Sequence, residues 1–219
     1  MAVIVMIYGK SGSGKSTSLR NFRQGEISVI NVSKKPFPFR AGFTSLATDN
    51  YDEIRQAVST AVSPSICIDD ATYLLVDEFM RNAKVTGYQK FTDMALNFFN
   101  LIRFCNDKLD SSKIVYFLGH SDTDSNGDEH FKTVGQLLDE KVTLEGLFTV
   151  VLKTVVQDGH YLFSTQTNGQ DTVKSPMGMF GKQFIPNDLK AVDETIRTFW
   201  NIRTDTKNAG TNKPRFGTK

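Results

Sequence analysis

Four short runs of mainly apolar, often β-branched residues recur in the first 120 positions, at 3–8, 28–32, 65–68 and 113–119. Runs of this length are typical of buried strands and are too short to cross a membrane. Apolar residues at helical spacing lie between them, at 51–62 and from about 73 to 107. This alternation predicts an α/β fold, a mainly parallel sheet flanked by helices.

The pattern changes after Gly119. Residues 120–146 are polar and irregular, which predicts a loop that orders on binding. Two apolar runs then surround Asp158-Gly159, a dipeptide that suits the mirror-image turn and so predicts a C-terminal β-hairpin. Pro186, Asn187 and Asp188 come directly before a predicted last helix at 189–200. We expect one domain, 1–203, followed by a disordered tail, 204–219.

Composition indicates an ordinary globular protein of 219 residues, enough for one α/β domain. The net charge of +2 neither supports nor excludes nucleic-acid binding. The positive charge is uneven, because the tail is basic, with Lys207, Lys213, Arg215 and Lys219.

Only two cysteines are present, Cys67 in an apolar run and Cys105 in a predicted helix. Both are predicted to be buried free thiols, which suits a reducing cytoplasm. The first eight residues, MAVIVMIY, lack basic residues and run directly into a glycine loop. We therefore predict a buried strand there, a cytoplasmic location and no membrane partner.

A complete phosphate-binding pattern follows this first run. Its glycines let the backbone curl so that N–H groups point at the phosphates of ATP. Lys15 is placed to reach the β and γ phosphates, and the Ser16 hydroxyl suits Mg²⁺. A helix predicted from this loop to about residue 22 adds its positive end. The nucleotide-binding residues are Gly9, Lys10, Ser11, Gly12, Ser13, Gly14, Lys15, Ser16 and Thr17.

The run at 65–68 ends in two carboxylates, Asp69 and Asp70. In a parallel sheet this places an acid at the same edge as the loop, where Asp69 is expected to hold Mg²⁺ through water. Asp70 is the candidate for polarising the attacking water. The alternative for Asp70 is a purely structural role as the cap of the following helix.

Two further polar residues complete the predicted catalytic set. His120 follows the fourth strand, where it can face the γ-phosphate and report hydrolysis to the segment beyond. Lys174 follows the hairpin and is predicted to reach a nucleotide, its own or that of a neighbouring subunit, in the manner of an arginine finger. Arg40 is a weaker candidate for that role. His130 and His160 are expected at the surface or in hairpins.

With these elements in order, the chain resembles phage-encoded ATP-binding proteins of the AAA/RecA-like group, which includes small single-strand annealing and recombination ATPases. The resemblance runs from about residue 7 to 200 and rests on GKSGSGKST, INVSKKPFPF, ICIDDATYL, FLGHSD, KTVGQLLDEKVTLEGLFTVVL, STQTNGQDTVKSPMGMF and IPNDL. It implies a RecA-like P-loop core that oligomerises and acts in phage DNA metabolism. In that group the catalytic carboxylate often lies on another strand, so the general base stays open between Asp70 and Asp49.

Three functions compete on these grounds. The first is an ATPase that couples Mg-ATP hydrolysis to assembly on single-stranded DNA, contacted by the polar segment after His120 and the basic tail. The second is a nucleotide-controlled interaction module, such as a loader of phage replication proteins, with little hydrolysis. The third is a nucleotide kinase, which is disfavoured because the arginines are scattered and form no lid.

Overall fold

The computed structural model describes residues 1–134 and 142–203, which form nine strands, four α-helices and two short 3₁₀ helices. The predicted tail, 204–219, lies outside the described residues. The strands are β1 (Val3–Gly9), β2 (Ile27–Asn31), β3 (Ser45–Ala47), β4 (Ser65–Asp69), β5 (Ile114–Thr123), β6 (Glu129–Phe131), β7 (Val150–Gln157), β8 (His160–Ser164) and β9 (Phe184–Pro186). The helices are α1 (Tyr51–Thr60), α2 (Thr72–Arg81), α3 (Gln89–Lys108) and α4 (Leu189–Phe199), and the 3₁₀ helices are Ser16–Asn21 and Leu144–Leu147.

All nine strands belong to one mixed sheet, in the order β3-β2-β4-β5-β1-β7-β8-β9, with β6 paired to β5. The six strands from β3 to β7 are parallel, and β8 is antiparallel to both of its neighbours. The prediction of a mainly parallel α/β sheet is therefore confirmed. Parallel strands end at a common edge, so the segments after β1, β4 and β5 meet there.

The two faces of the sheet explain why its central strands are apolar throughout. In β1, Ile4 and Met6 pack with α1, α2 and α3 on one face. Val5 and Ile7 pack with the first 3₁₀ helix and α4 on the other. Since successive side chains of a strand point to opposite faces, a strand covered on both sides must be apolar at every position.

Two predicted elements differ in the structure. The helical pattern from 73 to 107 is two helices, α2 and α3, separated by residues 82–88, in which Gly87 has a φ of +91°. The helix expected after the loop is a 3₁₀ helix of six residues, Ser16–Asn21. Two short turns align few peptide dipoles, so the positive helix end contributes less to anion binding than predicted.

The polar segment after Gly119 is also more regular than predicted. β5 continues through Thr123, and β6 returns along it as an antiparallel ribbon, with Ser121 opposite Phe131. Residues 135–141 of the same segment lie outside the described residues. The predicted hairpin at Asp158-Gly159 is confirmed as β7–β8, and both turn residues have positive φ, as the mirror-image turn requires.

A buried polar network joins α4 to the end of the sheet where β4 begins, away from the edge at which β1 and β4 end. Asp193 accepts hydrogen bonds from Ser65 Oγ at 2.6 Å, Tyr116 Oη at 2.8 Å and Arg197 Nε at 2.6 Å. Arg197 also donates to the carbonyl oxygens of Ser112 and Pro64. Every charge in this cluster is paired, as burial demands.

No helix among residues 1–134 and 142–203 has the length and hydropathy that a membrane span requires. Cys67 and Cys105 are both buried and free, as predicted.

Candidate functional site

The glycine loop leaves the carboxyl end of β1, which lies between β5 and β7. In the register of the sheet, Gly9 lies beside His120 of β5. The strand on the far side of β5 is β4, which ends at Asp69. The fold therefore gathers the predicted loop, acidic pair and histidine on three adjacent strands, with His120 inside β5 rather than after it.

Two glycines in the loop are required by its geometry. Gly14 has a φ of +97°, a left-handed conformation that other residues rarely adopt. At Gly9 an added Cβ would lie 2.0 Å from Thr154 Oγ1, so only glycine fits against β7. Ser13 fastens the loop, because its Oγ donates to the Lys10 carbonyl oxygen at 2.6 Å and lies 2.5 Å from Thr154 Oγ1.

Lys15 is buried, with 6% of its surface exposed, and its ammonium donates to the carbonyl oxygens of Gly9 and Lys10, each at 2.9 Å. Burial lowers the pKa of Lys15, while Asp70 and Asp69 oppose that effect. The loop backbone thus curls around the Lys15 ammonium and holds it through two carbonyl oxygens.

Ser16 and Asp69 form the part of the site that suits Mg²⁺. Ser16 Oγ donates to Asp69 Oδ1 at 2.9 Å. Burial, followed by the neighbouring Asp70, raises the pKa of Asp69 to about 7. An aliphatic hydroxyl and a carboxylate are the hard oxygen donors that Mg²⁺ prefers, and a bound cation would favour the ionised carboxylate. The residues present therefore fit the ion.

Asp70 sits in a strained turn directly after β4. Its φ is +59°, unusual for a residue other than glycine. The N-cap of α2 is Ala71, which makes no side-chain capping bond, so Asp70 does not cap that helix. Strained backbone of this kind clusters at functional sites.

His120 is the neighbour of Asp70 across the site. Its Nε2 lies 3.7 Å from Asp70 Oδ1, beyond hydrogen-bonding distance. Its backbone N–H donates to Thr72 Oγ1 at 2.9 Å, and its ring meets Tyr73 edge to face. Burial, and then the charge of Lys15, lower the pKa of His120, so the imidazole is neutral at pH 7.

These groups open onto one cavity of about 550 Å³, a size typical of small-molecule sites. Loop residues form one wall. The others are formed by residues after β2 and β4, by His120 of β5 and by Tyr161 of β8. The lining residues are Ser11, Gly12, Gly14, Lys15, Ser16, Thr17, Lys35, Pro38, Asp70, Tyr73, His120 and Tyr161.

Two predicted site residues lie elsewhere. Asp49 follows the edge strand β3 and pairs with Lys34 at 2.7 Å and with Arg81. Hydrogen bonding to Lys34 lowers its pKa, and it does not line the cavity. Lys174 is exposed, and its backbone pairs with Val151, level with the middle of β1 rather than with the loop.

The remaining basic and imidazole candidates are also placed. Lys35 lines the cavity, with its ammonium 4.9 Å from the centre of the Tyr73 ring. Arg40 is exposed and is not part of the cavity wall. His130 and His160 lie in the β5–β6 and β7–β8 hairpins, as expected.

Sequence reasoning missed three residues beside the loop: Thr154, Tyr161 and Asn187. All three come from the C-terminal third of the chain and reach the loop only because β7 pairs with β1 and β8 pairs with β7. No local pattern marks them, apart from the IPNDL segment that contains Asn187.

A larger cavity, about 750 Å³, lies at the opposite end of the sheet, beside Ser65 and Arg197. Ser65, Asp193 and Arg197 in its wall bond to one another, and Lys190 in the same wall is paired with Glu26. Within residues 1–134 and 142–203, no cluster of three or more histidine, cysteine or acidic side chains is arranged to hold a metal ion. The loop cavity is therefore the candidate functional site.

In comparison with known proteins, no protein-family model matches the chain, and no curated protein matches it in sequence. The candidate site is therefore identified from its geometry alone.

Proposed function

We propose that the chain is a phage-encoded ATPase with a RecA-like P-loop core, which acts in the host cytoplasm in DNA recombination, annealing or replication. It couples Mg-ATP binding and hydrolysis to assembly of identical subunits on single-stranded DNA. The observation that carries this proposal is the convergence of Lys15, Asp70 and His120, from three adjacent strands, on one cavity.

The convergence supports hydrolysis because it supplies the parts that phosphoryl transfer needs. A loop and its lysine hold the phosphates, and an acidic group faces the same space. Mg²⁺, when bound with ATP, neutralises charge on the phosphate oxygens. Ser16 and Asp69 are the residues that hold it in this proposal.

Asp70 is the general base in this proposal, in preference to Asp49. Asp70 lines the cavity, whereas Asp49 is held by Lys34 and Arg81 outside it. Asp70→Asn is expected to lower ATP turnover while leaving ATP affinity within a few-fold of the wild type. Asp49→Asn is the matched control, and a loss of turnover in that variant alone would reassign the base.

The DNA contact is assigned to the basic tail rather than to the β5–β6 hairpin. The described residues of that hairpin carry one lysine, Lys132, against four carboxylates: Asp122, Asp124, Asp128 and Glu129. Such a surface repels a phosphate backbone. The hairpin instead continues from His120 without a break in β5, so it is suited to relay a change at the site to a partner.

Lys174 is proposed to act on the nucleotide of a neighbouring subunit, since it lies outside the cavity of its own chain. Mixing a Lys15→Ala variant with a Lys174→Ala variant tests this. Each is inactive alone, and recovered ATP turnover in the mixture supports action across a subunit boundary. No recovery rejects that role for Lys174.

The deciding experiment measures ATP turnover while single-stranded or duplex DNA is titrated, with particle size followed in parallel. We expect turnover to rise with single-stranded DNA, larger particles to form, and both effects to weaken as salt increases. Lys15→Ala is the control and should abolish turnover. Turnover that ignores DNA contradicts the coupling, and ATP binding without turnover under any condition favours the interaction module.

A further inference from the structure

Asn187 carries a buried amide that has no hydrogen-bond partner. The residue is 2% exposed, and neither Nδ2 nor Oδ1 finds a partner among the described residues. Leaving a donor and an acceptor unpaired in the interior costs free energy, and structures rarely tolerate it without a reason. The amide lies directly behind the wall of the loop cavity.

The position of this amide is defined by its neighbours. An added Cβ at Gly14 would lie 3.3 Å from both Nδ2 and Oδ1, and 3.0 Å from Tyr161 Cδ1. The carbon that joins the two amide atoms is farther away, so the polar edge of the amide faces Gly14. Both Gly14 and Tyr161 line the cavity. The side chain is therefore aimed at the nucleotide site, with only a glycine and a tyrosine ring in between.

The backbone of Asn187 is held by hydrogen bonds on both sides, so its unpaired side chain does not belong to a loose segment. Its N–H donates to the carbonyl oxygen of Tyr161 at 3.1 Å, and its own carbonyl oxygen accepts from Arg20 at 2.6 Å. The next residue, Asp188, caps α4. The amide thus stays beside the loop whatever occupies the cavity.

We propose that Asn187 and Tyr161 form the base-recognition end of the nucleotide site, and that the base recognised is adenine. This inference rests on the proposed function. Tyr161 is 51% exposed, so its ring can turn away from the amide and stack on the base. This movement of the ring uncovers the amide of Asn187, which then pairs with the edge of the adenine.

The chemistry fits adenine because an amide offers one donor and one acceptor side by side. Adenine presents its 6-amino donor next to a ring-nitrogen acceptor, and an asparagine amide is the standard partner for that pair. Removing the 6-amino group leaves Oδ1 without its donor. A good bidentate pair distinguishes ligands by about ten- to hundredfold in affinity.

The test compares three ligands in the presence of Mg²⁺: ATP, purine riboside triphosphate, which lacks the 6-amino group, and tripolyphosphate, which lacks the base. Wild-type protein should bind ATP about tenfold or more tightly than purine riboside triphosphate. In Asn187→Leu that ratio should fall to about one, while tripolyphosphate affinity stays unchanged. Tyr161→Phe keeps the ring and should retain the ratio; Tyr161→Ala should weaken both nucleotides.

Stability supplies a second, independent measurement. Replacing an unpaired amide by an apolar side chain of similar shape should leave the thermal midpoint of the free protein unchanged or raise it. A structural role for Asn187 would instead lower that midpoint and weaken all three ligands together, and this result would reject the proposal.

The outcomes separate the two proposals. If wild-type protein binds tripolyphosphate but shows no preference for ATP over purine riboside triphosphate, base recognition fails and the phosphate site stands. If neither ATP nor tripolyphosphate binds, the nucleotide site itself fails, and the role of Asn187 fails with it. The wild-type comparison decides the matter even where a variant does not fold.

Discussion

Asp69 makes the free protein less stable at neutral pH, and Asp69→Asn should remove that penalty. Its pKa is raised from 3.8 to about 7, chiefly by burial. The folded chain therefore binds this proton more tightly than the unfolded chain does. Stability from this group is complete below about pH 4 and is lost as pH rises towards 7. The rise in pKa corresponds to about 4 kcal/mol, of which about 2–3 kcal/mol is lost between pH 5 and pH 8.

The assay is urea unfolding of the wild type and Asp69→Asn at pH 5 and pH 8, with EDTA and without nucleotide. From pH 5 to pH 8 the free energy of unfolding of the variant, relative to that of the wild type, should rise by about 2–3 kcal/mol. Asp93→Asn, at an exposed position, is the control and should change the difference by less than about 0.5 kcal/mol. A difference between wild type and Asp69→Asn that is the same at both pH values would refute the reasoning.

Two further substitutions test the packing around the site and the sheet. Asp193→Ala leaves the buried guanidinium of Arg197 without its carboxylate, and urea unfolding should show a loss of about 3–5 kcal/mol. Asp52→Ala, which breaks the exposed pair with Arg55, should cost less than about 1 kcal/mol. Equal losses of stability in Asp193→Ala and Asp52→Ala would contradict this account. Gly9→Ala brings a Cβ to 2.0 Å from Thr154 Oγ1 and should cost about 1–3 kcal/mol. Adding Thr154→Ala should restore part of that stability, and no restoration would place the strain elsewhere.

The central strands and the helices α1 and α4 could be predicted because their signals are local. β1 is apolar at nearly every position, and α4 begins at Asp188, whose side chain accepts from the N–H groups of Lys190 and Ala191. The three-residue strands β3 and β9 were missed. All of their residues are exposed or partly exposed, so neither strand shows a hydrophobic pattern. Each is a strand because it pairs with a neighbouring strand.

The candidate site divides in the same way. The loop, Asp70 and His120 could be predicted because each directly follows a recognisable strand, and parallel strands end at one edge. Thr154, Tyr161 and Asn187 could not, because their role depends on the order of strands in the sheet. Lys174 is the opposite case. Its place along the chain predicted a position near the nucleotide, but its backbone pairs with Val151, away from the loop.

The position of β1 between β5 and β7 has a consequence for the order in which the protein is completed during synthesis. The glycine loop is made before the segments that hold it, because Ser13 reaches Thr154 across 141 residues and Arg20 reaches Asn187 across 167. Until β7 has been made, β1 is a sheet edge with unpaired backbone groups. Contacts of such sequence separation form slowly. The loop is therefore finished late, and a chain released before residue 150 carries the whole glycine loop without the neighbours that shape it.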